Sequence, residues 1–259
     1  MLQLPRLYLN GFPKSGLHLA ELMVKSVFSP VDKKYNWYAT NAWVTESRHL
    51  DIAPKLAVTE HGQYFKGHAG YNEYLKDLLI GLEIGVVFVY RDLRDVAVSQ
   101  TYHILSDKEQ LLHPAKEIYP RNFDDALTAV IEGLGEYAGI IERWNTFSPW
   151  LDKYWVYSVK FEDMLKRPEK VASGFYDYFY QMALLHAGID ELTINKDAKN
   201  KSVAHIVHSM KQRKSLTFRK GKTNQWRYEF KKEHVDLFKK HDTKNVLMKL
   251  GFEKNKDWH

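Results

Sequence analysis

The hydrophobic period of the first 27 residues changes at a pair of glycines, and this change limits the folds open to the chain. A short apolar run, Arg6–Asn10, predicts a buried strand. Beyond Gly16 the apolar residues recur at helical spacing, at Leu19, Leu22, Met23 and Val27. The segment 11–16 is therefore predicted to be a loop that joins a first strand to a first helix.

Later segments repeat this order of strand and helix. The continuous β-branched and aromatic run Ile84–Tyr90 is typical of a central parallel strand that is covered on both faces. Arg91 follows at its carboxyl end, and a helix is predicted to begin near Asp95. A third strand is predicted over 154–161, and further helices over 126–144, over 168–186 and in most of the chain to Gly251. The alternation predicts a three-layer α/β fold with a central parallel sheet flanked by helices.

Length and composition favour one soluble domain over residues 1–259. The chain is 44% hydrophobic and 14% aromatic, which excludes global disorder. It has no cysteine, so disulfides, thiolate metal sites and cysteine nucleophiles are excluded. No apolar stretch approaches the roughly 20 residues of a membrane span, and no signal peptide is recognised. We therefore expect a cytoplasmic protein with no membrane span.

The formal net charge of +6 favours a polyanionic ligand. However, lysines crowd the last fifth of the chain, where a solvated basic helix explains them equally well. Charge alone therefore leaves general nucleic-acid binding open.

The loop 11–16 has the composition of a phosphate site, because backbone N–H groups and a helix N-terminus would face an anion beside Lys14. Its order differs from the G-x-x-x-x-G-K-[ST] loop of nucleotide triphosphatases, since Lys14 precedes Gly16. Taken alone, the loop could equally be a tight turn with a surface lysine.

Four segments together resemble the PAPS-dependent sulfotransferase family (PAPS is 3′-phosphoadenosine 5′-phosphosulfate). Pro13-Lys14-Ser15-Gly16 is similar to the family's P-K-S-G-T core, and 91–99 to its R-x-x-x-D-x-x-x-S stretch. Arg219-Lys220-Gly221 with Trp226 is similar to the family's R-K-G-x-x-x-x-W element, and 159–164 to its Y-E-D-M turn with Phe161 in place of Tyr.

The resemblance implies a P-loop-like sulfotransferase fold and a donor site for PAPS, with adenosine 3′,5′-bisphosphate as the product and no metal. The 5′-phosphosulfate would be held by the first loop and the start of its helix, through Pro13, Lys14, Ser15, Gly16, Leu17 and His18. The 3′-phosphate would be held by Arg91, Ser99, Arg219, Lys220 and Gly221.

The same resemblance implies a general base. In the family's cytosolic enzymes a K-x-H segment precedes the R-x-x-x-D stretch by a little over twenty residues, and here Lys66-Gly67-His68 ends 23 residues before Arg91. A histidine of ordinary pKa, about 6.5, can accept a proton near neutral pH. We expect His68 to be the base of an in-line transfer, with Lys14 and Lys66 neutralising the developing charge.

Two departures from the family pattern keep other functions open. Leu17 stands where the family usually has Thr, and Leu19 where many members have an adenine-stacking Trp. The alternatives are a non-catalytic binding module for a nucleotide or polyanion and an ATP-dependent phosphotransferase. For an active enzyme we expect a small-molecule or glycan acceptor, no nucleic-acid partner, and a monomer or homodimer. The acceptor would lie among the variable loops 30–65 and 100–125, whose aromatic residues suit stacking and plain core packing alike: Tyr35, Trp37, Tyr38, Trp43, Tyr64 and Tyr102.

Overall fold

The computed structural model of the chain describes residues 2–31, 53–106, 116–189, 195–212 and 222–259. Its strands are β1 (Arg6–Gly11), β2 (Ser29–Pro30), β3 (Gln63–Gly67), β4 (Ile84–Tyr90), β5 (Gly133–Leu134), β6 (Tyr137–Ala138) and β7 (Val156–Lys160). Its helices are α1 (Leu17–Lys25), α2 (Ala53–Ala57), α3 (Glu73–Gly81), α4 (Leu93–Ile104), α5 (Phe123–Glu132), α6 (Ile140–Phe147), α7 (Phe161–Lys166), α8 (Pro168–His186), α9 (Lys196–Lys211), α10 (Trp226–Glu229), α11 (Lys232–His241) and α12 (Val246–Lys249). A 3-10 helix, Ser148–Asp152, precedes β7.

The chain divides into two compact units, Met1–Tyr90 with Phe147–Ser215 and Arg91–Thr146 with Leu216–His259. The first unit carries a sheet in which five described strands lie in the order β2-β3-β1-β4-β7. All of its neighbouring strands are parallel. The predicted central parallel sheet is confirmed, and β1 and β4 are inner strands of it.

Both faces of this sheet are covered, as the apolar run of β4 predicts. Side chains alternate between the faces of a strand. Leu7, Leu9, Val87 and Val89 belong to one apolar cluster with residues of α1, α8 and α9. On the other face, Phe88 stacks on Phe147 with ring centroids 6.5 Å apart. The carboxyl ends of β1, β3 and β4 are thereby fixed between two packed layers.

The second unit is helical around a buried arginine. Its helix α4 packs against α5 and α10, and α5 packs against α11. The Arg94 guanidinium lies 3.8 Å from the ring centroid of Trp226 and 4.6 Å from that of Trp258. It also donates to Asp92 and Glu253. The ring contacts and ion pairs of Arg94 therefore hold the start of α4 against the C-terminal segment of the chain.

One predicted helix is interrupted. The segment predicted as helix over 126–144 forms the end of α5, the two-stranded hairpin of β5 and β6, and the start of α6. Gly133 and Gly135 have φ angles of 104° and 59°, values that L side chains rarely adopt. The helix therefore ends at Gly133, and the chain turns before it becomes helical again at Ile140.

Across the described residues, no helix is both long enough and apolar enough to cross a bilayer.

Candidate functional site

The loop between β1 and α1 has a left-handed backbone at two positions. Lys14 has φ 65°, and Gly16 has φ 96° where it caps the N-terminus of α1. A lysine in this region is strained by roughly 1–2 kcal/mol, and such strain is concentrated at functional sites. Left-handed residues within a turn direct successive N–H groups toward one concave face, which suits an anion. The loop geometry therefore fits a phosphate or sulfate group.

Phe161 fixes the shape of this loop from the distant end of β7. A Cβ atom on Gly16 would lie 2.3 Å from Phe161 Cδ2, so no side chain fits there. The segment 159–164 resembles the family's Y-E-D-M turn. Its aromatic ring packs directly against the loop 11–16, which we call the anion loop.

The residues of this loop that are predicted to bind the 5′-phosphosulfate differ in their surroundings. The Ser15 hydroxyl donates to the Val89 carbonyl (2.9 Å), which ties the loop to β4. Leu17 is 6% exposed, and its side chain belongs to the apolar cluster, as does that of Leu19. Pro13 and His18 are half-buried. The side chain of Leu17 is thus a core group, and only its backbone at the helix N-terminus is left to meet a ligand.

A buried ion pair occupies the end of β3. Lys66 Nζ lies 2.9 Å from both carboxylate oxygens of Glu21 on α1. The Tyr64 hydroxyl also donates to Glu21 (2.9 Å), so this aromatic of the predicted acceptor region is a core residue. Burial would raise the pKa of Glu21, but hydrogen bonds from His18, Lys66 and Tyr64 outweigh burial and hold the pKa well below its usual range. Glu21 is therefore an anion that fixes the ammonium group of Lys66.

His68 lies one residue beyond β3, within reach of the same charges. Its Nδ1 is 2.6 Å from the Gly11 carbonyl oxygen. Because a carbonyl only accepts, Nδ1 carries the proton and Nε2 of the neutral ring carries a lone pair. Burial is the main cause that lowers the pKa of His68. The Gly11 hydrogen bond raises it, the charges of His18, Lys14 and Lys66 lower it, and the resulting pKa is about 4. The ring is therefore a neutral proton acceptor at neutral pH.

In the second unit, Arg91 is anchored by an acidic residue of α4. Its Nη2 donates to Asp95 Oδ2 (3.1 Å) and to the Lys222 carbonyl (2.9 Å). Asp95 also accepts the backbone N–H groups of Asn224 (2.9 Å) and Trp226 (3.0 Å). Burial raises the pKa of Asp95, an effect that Arg91 opposes. Asp95 thus joins Arg91 to the segment 222–226.

One further residue predicted to contact the 3′-phosphate lies on the same helix as this anchor. Ser99 is half-buried on α4, four residues after Asp95 and hence on the same helix face. Arg219, Lys220 and Gly221 lie outside the described residues. The described chain resumes at Lys222, whose carbonyl accepts from Arg91. The R-K-G segment is therefore followed directly by a residue bonded to Arg91.

The sequence motifs give no role to three buried polar residues, Asn10 and Glu21 of the first unit and Asp95 of the second. Two of them carried a visible signal. Glu21 is four residues after Leu17 and three before Val24, on the buried face of α1, and Asn10 follows the apolar residues Leu7–Leu9 of β1. A charged or amide group in such a place requires a specific partner.

The parallel sheet and the loop after its first strand place the protein in the class of α/β proteins with a P-loop-like loop between β1 and α1. The family model for the sulfotransferase domain matches residues 4–250. The chain belongs to the sulfotransferase family.

Solved structures with the same fold are distant in sequence. A mouse sulfotransferase, SULT7A1, complexed with PAP, matches with a TM-score of 0.61 and 17% identity over 93% of this chain and 84% of that one. A retinol dehydratase with androsterone and inactive cofactor PAP matches with a TM-score of 0.59 and 15% identity, over 93% and 80%. A retinol dehydratase structure with retinol and PAP gives 0.56 and 17%, over 93% and 81%. No curated protein sequence gave a significant match.

Proposed function

We propose that the protein transfers the sulfuryl group of PAPS to an acceptor hydroxyl or amine, with His68 as the general base. The observation that carries this proposal is the 2.6 Å contact between His68 Nδ1 and the Gly11 carbonyl. That contact makes Nε2 the proton-accepting atom of His68, which lies two residues after Lys66 and contacts the loop 11–16 at Gly11.

The 5′-phosphosulfate of PAPS is assigned to the loop Pro13–Gly16 and to the helix start at Leu17 and His18. Support comes from the left-handed backbone of Lys14 and Gly16 and from the lack of space for a Cβ atom at Gly16. Lys14 and Lys66 act as fixed charges, which stabilise charge that develops on the transferred group. Glu21 keeps the Lys66 ammonium group in place.

The 3′-phosphate is assigned to Arg91 and Ser99, with Arg219, Lys220 and Gly221 completing its contacts. Support comes from the anchoring of Arg91 by Asp95, which presents a buried guanidinium beside residue 222. Arginine suits this task because its planar fork matches the oxygen atoms of a phosphate.

Within this function, His68 moves one proton. Nε2 accepts the proton of the acceptor group as the acceptor oxygen or nitrogen forms its bond to sulfur and the bond from sulfur to the bisphosphate oxygen breaks. Nδ1 keeps its own proton on the Gly11 carbonyl throughout, so the ring is oriented in both protonation states.

Removing the imidazole tests this role. His68→Ala should lower the single-turnover rate about 10²- to 10⁴-fold and leave the calorimetric affinity for adenosine 3′,5′-bisphosphate unchanged. His205→Ala, at an exposed position of α9, is the matched control and should change neither quantity. Loss of nucleotide affinity at an unchanged rate would show that His68 binds the donor and is not the base.

The acceptor is proposed to be a small molecule. Two matched structures, of a retinol dehydratase, hold androsterone and retinol respectively. Incubation with radiolabelled PAPS and a panel of phenols, alcohols, lipids and oligosaccharides tests this assignment. A labelled oligosaccharide with no labelled small molecule would identify a glycan acceptor instead.

A non-catalytic binding module is the second candidate, because Leu17 places a core side chain where the family usually has a hydroxyl. The same panel separates the two, since a binding module retains nucleotide affinity and labels no acceptor. Cytoplasmic location, a monomeric or dimeric state, a single domain over 1–259 and the absence of a metal and of a nucleic-acid partner stay predictions.

A further inference from the structure

Asn10 is a fully buried amide at the carboxyl end of β1. The parallel pairing of β1 with β3 ends with Asn10 opposite Gly67. Beyond that pair, the side chain of Asn10 makes the hydrogen bonds to the segment that follows β3. Its Nδ2 donates to the Ala69 carbonyl (2.9 Å), and its Oδ1 accepts the Ala69 N–H (2.9 Å). Both backbone groups of Ala69 are thus bonded to one amide group.

The same oxygen reaches the partner of His68. Asn10 Oδ1 also accepts the Gly11 N–H (2.9 Å), and the Gly11 carbonyl accepts from His68 Nδ1 (2.6 Å). His68 lies between Gly67, which is paired in the sheet, and Ala69, which Asn10 holds. One side chain therefore fixes both the backbone that carries the imidazole and the residue whose carbonyl orients it.

We propose that Asn10 is the positioning residue of His68, holding the imidazole in the orientation in which Nδ1 donates to the Gly11 carbonyl and Nε2 is the proton-accepting atom. This inference rests on the proposed function, in which His68 is the base. It adds a residue that the sequence motifs do not contain.

A purely structural role makes a different prediction. An amide that only satisfies buried backbone groups would, on removal, lower the stability of the fold and leave the imidazole unchanged. A positioning residue would also change the tautomer of His68, its pKa and the rate constant. The charged neighbours that act on His68 are Lys14, His18 and Lys66, and they are present in every variant below.

The test is ¹⁵N NMR of the histidine side chains in Asn10→Ala, with the His68 signals assigned by their loss in His68→Ala. In the unmodified protein we expect the Nδ1–H tautomer and a pKa of about 4. In Asn10→Ala we expect mixed tautomers and a pKa below that of the unmodified protein, because the ring loses the fixed Gly11 carbonyl partner that raises its pKa. The rate constant should fall about 10- to 100-fold, with nucleotide affinity unchanged.

Asn72→Ala is the matched control, because this amide accepts the Leu75 N–H at the start of α3, whereas Asn10 bonds to Ala69 and Gly11. It should lower thermal stability and leave the His68 spectrum intact. A second variant, Asn10→Ser, keeps a polar group in the site in case the alanine variant is unfolded, and its His68 spectrum is read in the same way.

An unchanged His68 tautomer and pKa in a folded Asn10 variant overturns the proposal, as does failure of both variants to fold, which would assign Asn10 to the fold as a whole. The NMR measurement needs no turnover. If His68→Ala proves fully active, the proposed base is wrong, whereas the effect of Asn10 on the imidazole is still read directly.

Discussion

At the scale of single residues, the pH dependence of the transfer rate reports on His68. Burial and three neighbouring positive charges lower its pKa to about 4. A base acts in its unprotonated form, so the rate constant should be flat from about pH 5 to 8 and fall as the pH drops through about 4. Steady-state rates across this range check the prediction, with circular dichroism to confirm that the fold persists.

The pH dependence of His18→Gln is a second test, because this substitution removes one of the charges that lower the pKa of His68. The midpoint of the acid limb should then move to higher pH. A midpoint near 6.5 in the unmodified enzyme would contradict the burial of His68, and a limb that His68→Ala retains would belong to another group.

Substitution of Leu17 should change the affinity for the sulfuryl donor and the stability of the fold in opposite directions. Leu17→Thr restores the hydroxyl common in the family and should tighten donor binding by about 0.5–1.5 kcal/mol. Because Leu17 belongs to the apolar cluster, the change should also lower the free energy of unfolding by roughly 2–4 kcal/mol. Calorimetry and urea titration measure the two effects.

Leu17→Val is the control for this substitution, because valine has the shape of threonine without its hydroxyl. The valine variant should lose similar stability and gain no affinity. Equal donor affinity of the two variants would mean that the hydroxyl finds no partner and that this site differs from the family pattern.

The residues that sequence motifs could identify are those that would contact a ligand. Lys14, Arg91 and His68 could be placed because their spacing matches a known pattern. Asn10 and Glu21 could not be given partners, because what they bind lies 59 and 45 residues away in the chain, at Ala69 and Lys66. The register of β3 against β1 brings Ala69 to Asn10, and the position of α1 beside the end of β3 brings Glu21 to Lys66.

At the scale of elements, the anion loop depends on the turn between β7 and α7. Gly16→Ala should abolish donor binding and lower the free energy of unfolding by at least about 3 kcal/mol, since it combines left-handed strain with overlap on Phe161. Gly188→Ala is the control, because Gly188 has φ 64° and nothing within 4 Å of the added Cβ atom. It should cost only the backbone strain, about 1–2 kcal/mol.

Thermal unfolding and nucleotide calorimetry compare the two glycine variants. Similar stability losses in both would show that Phe161 yields to the added methyl group and does not fix the loop.

Some elements could be predicted to the residue and others could not. The bounds of β4 and α8 match the sequence prediction, because a continuous β-branched run and a proline at a helix start are strong local signals. Helix α4 begins at Leu93, two residues before the predicted start, where Asp92 accepts the Arg94 N–H. The hairpin of β5 and β6 lies inside the segment 126–144, where the sequence predicts a continuous helix, and the left-handed backbone of Gly133 and Gly135 ends that helix early. β3, which carries Lys66, has no clear period, since four of its five residues are buried.

At the scale of the whole molecule, nucleotide binding should raise the melting temperature. Adenosine 3′,5′-bisphosphate at a hundredfold excess over its Kd should add about 2.7 kcal/mol of stability, or about 5–10 °C for a protein of this size. ATP should add little. Arg91→Ala should lose most of the shift, because a charge-assisted phosphate contact is removed. A shift with ATP and none with the bisphosphate would favour a phosphotransferase.

The packing of Phe161 on Gly16 also has a consequence for biosynthesis. The ribosome makes Gly16 145 residues before Phe161. At 5–20 residues per second, that separation lasts roughly 7–30 s. During this time the nascent chain already has Lys14 and the glycines of the anion loop but lacks the ring that packs against it. The inner strand β4 likewise emerges well before β7, its parallel neighbour. Competence to bind the nucleotide should therefore arise late in synthesis, after β7 and α7 have left the ribosome.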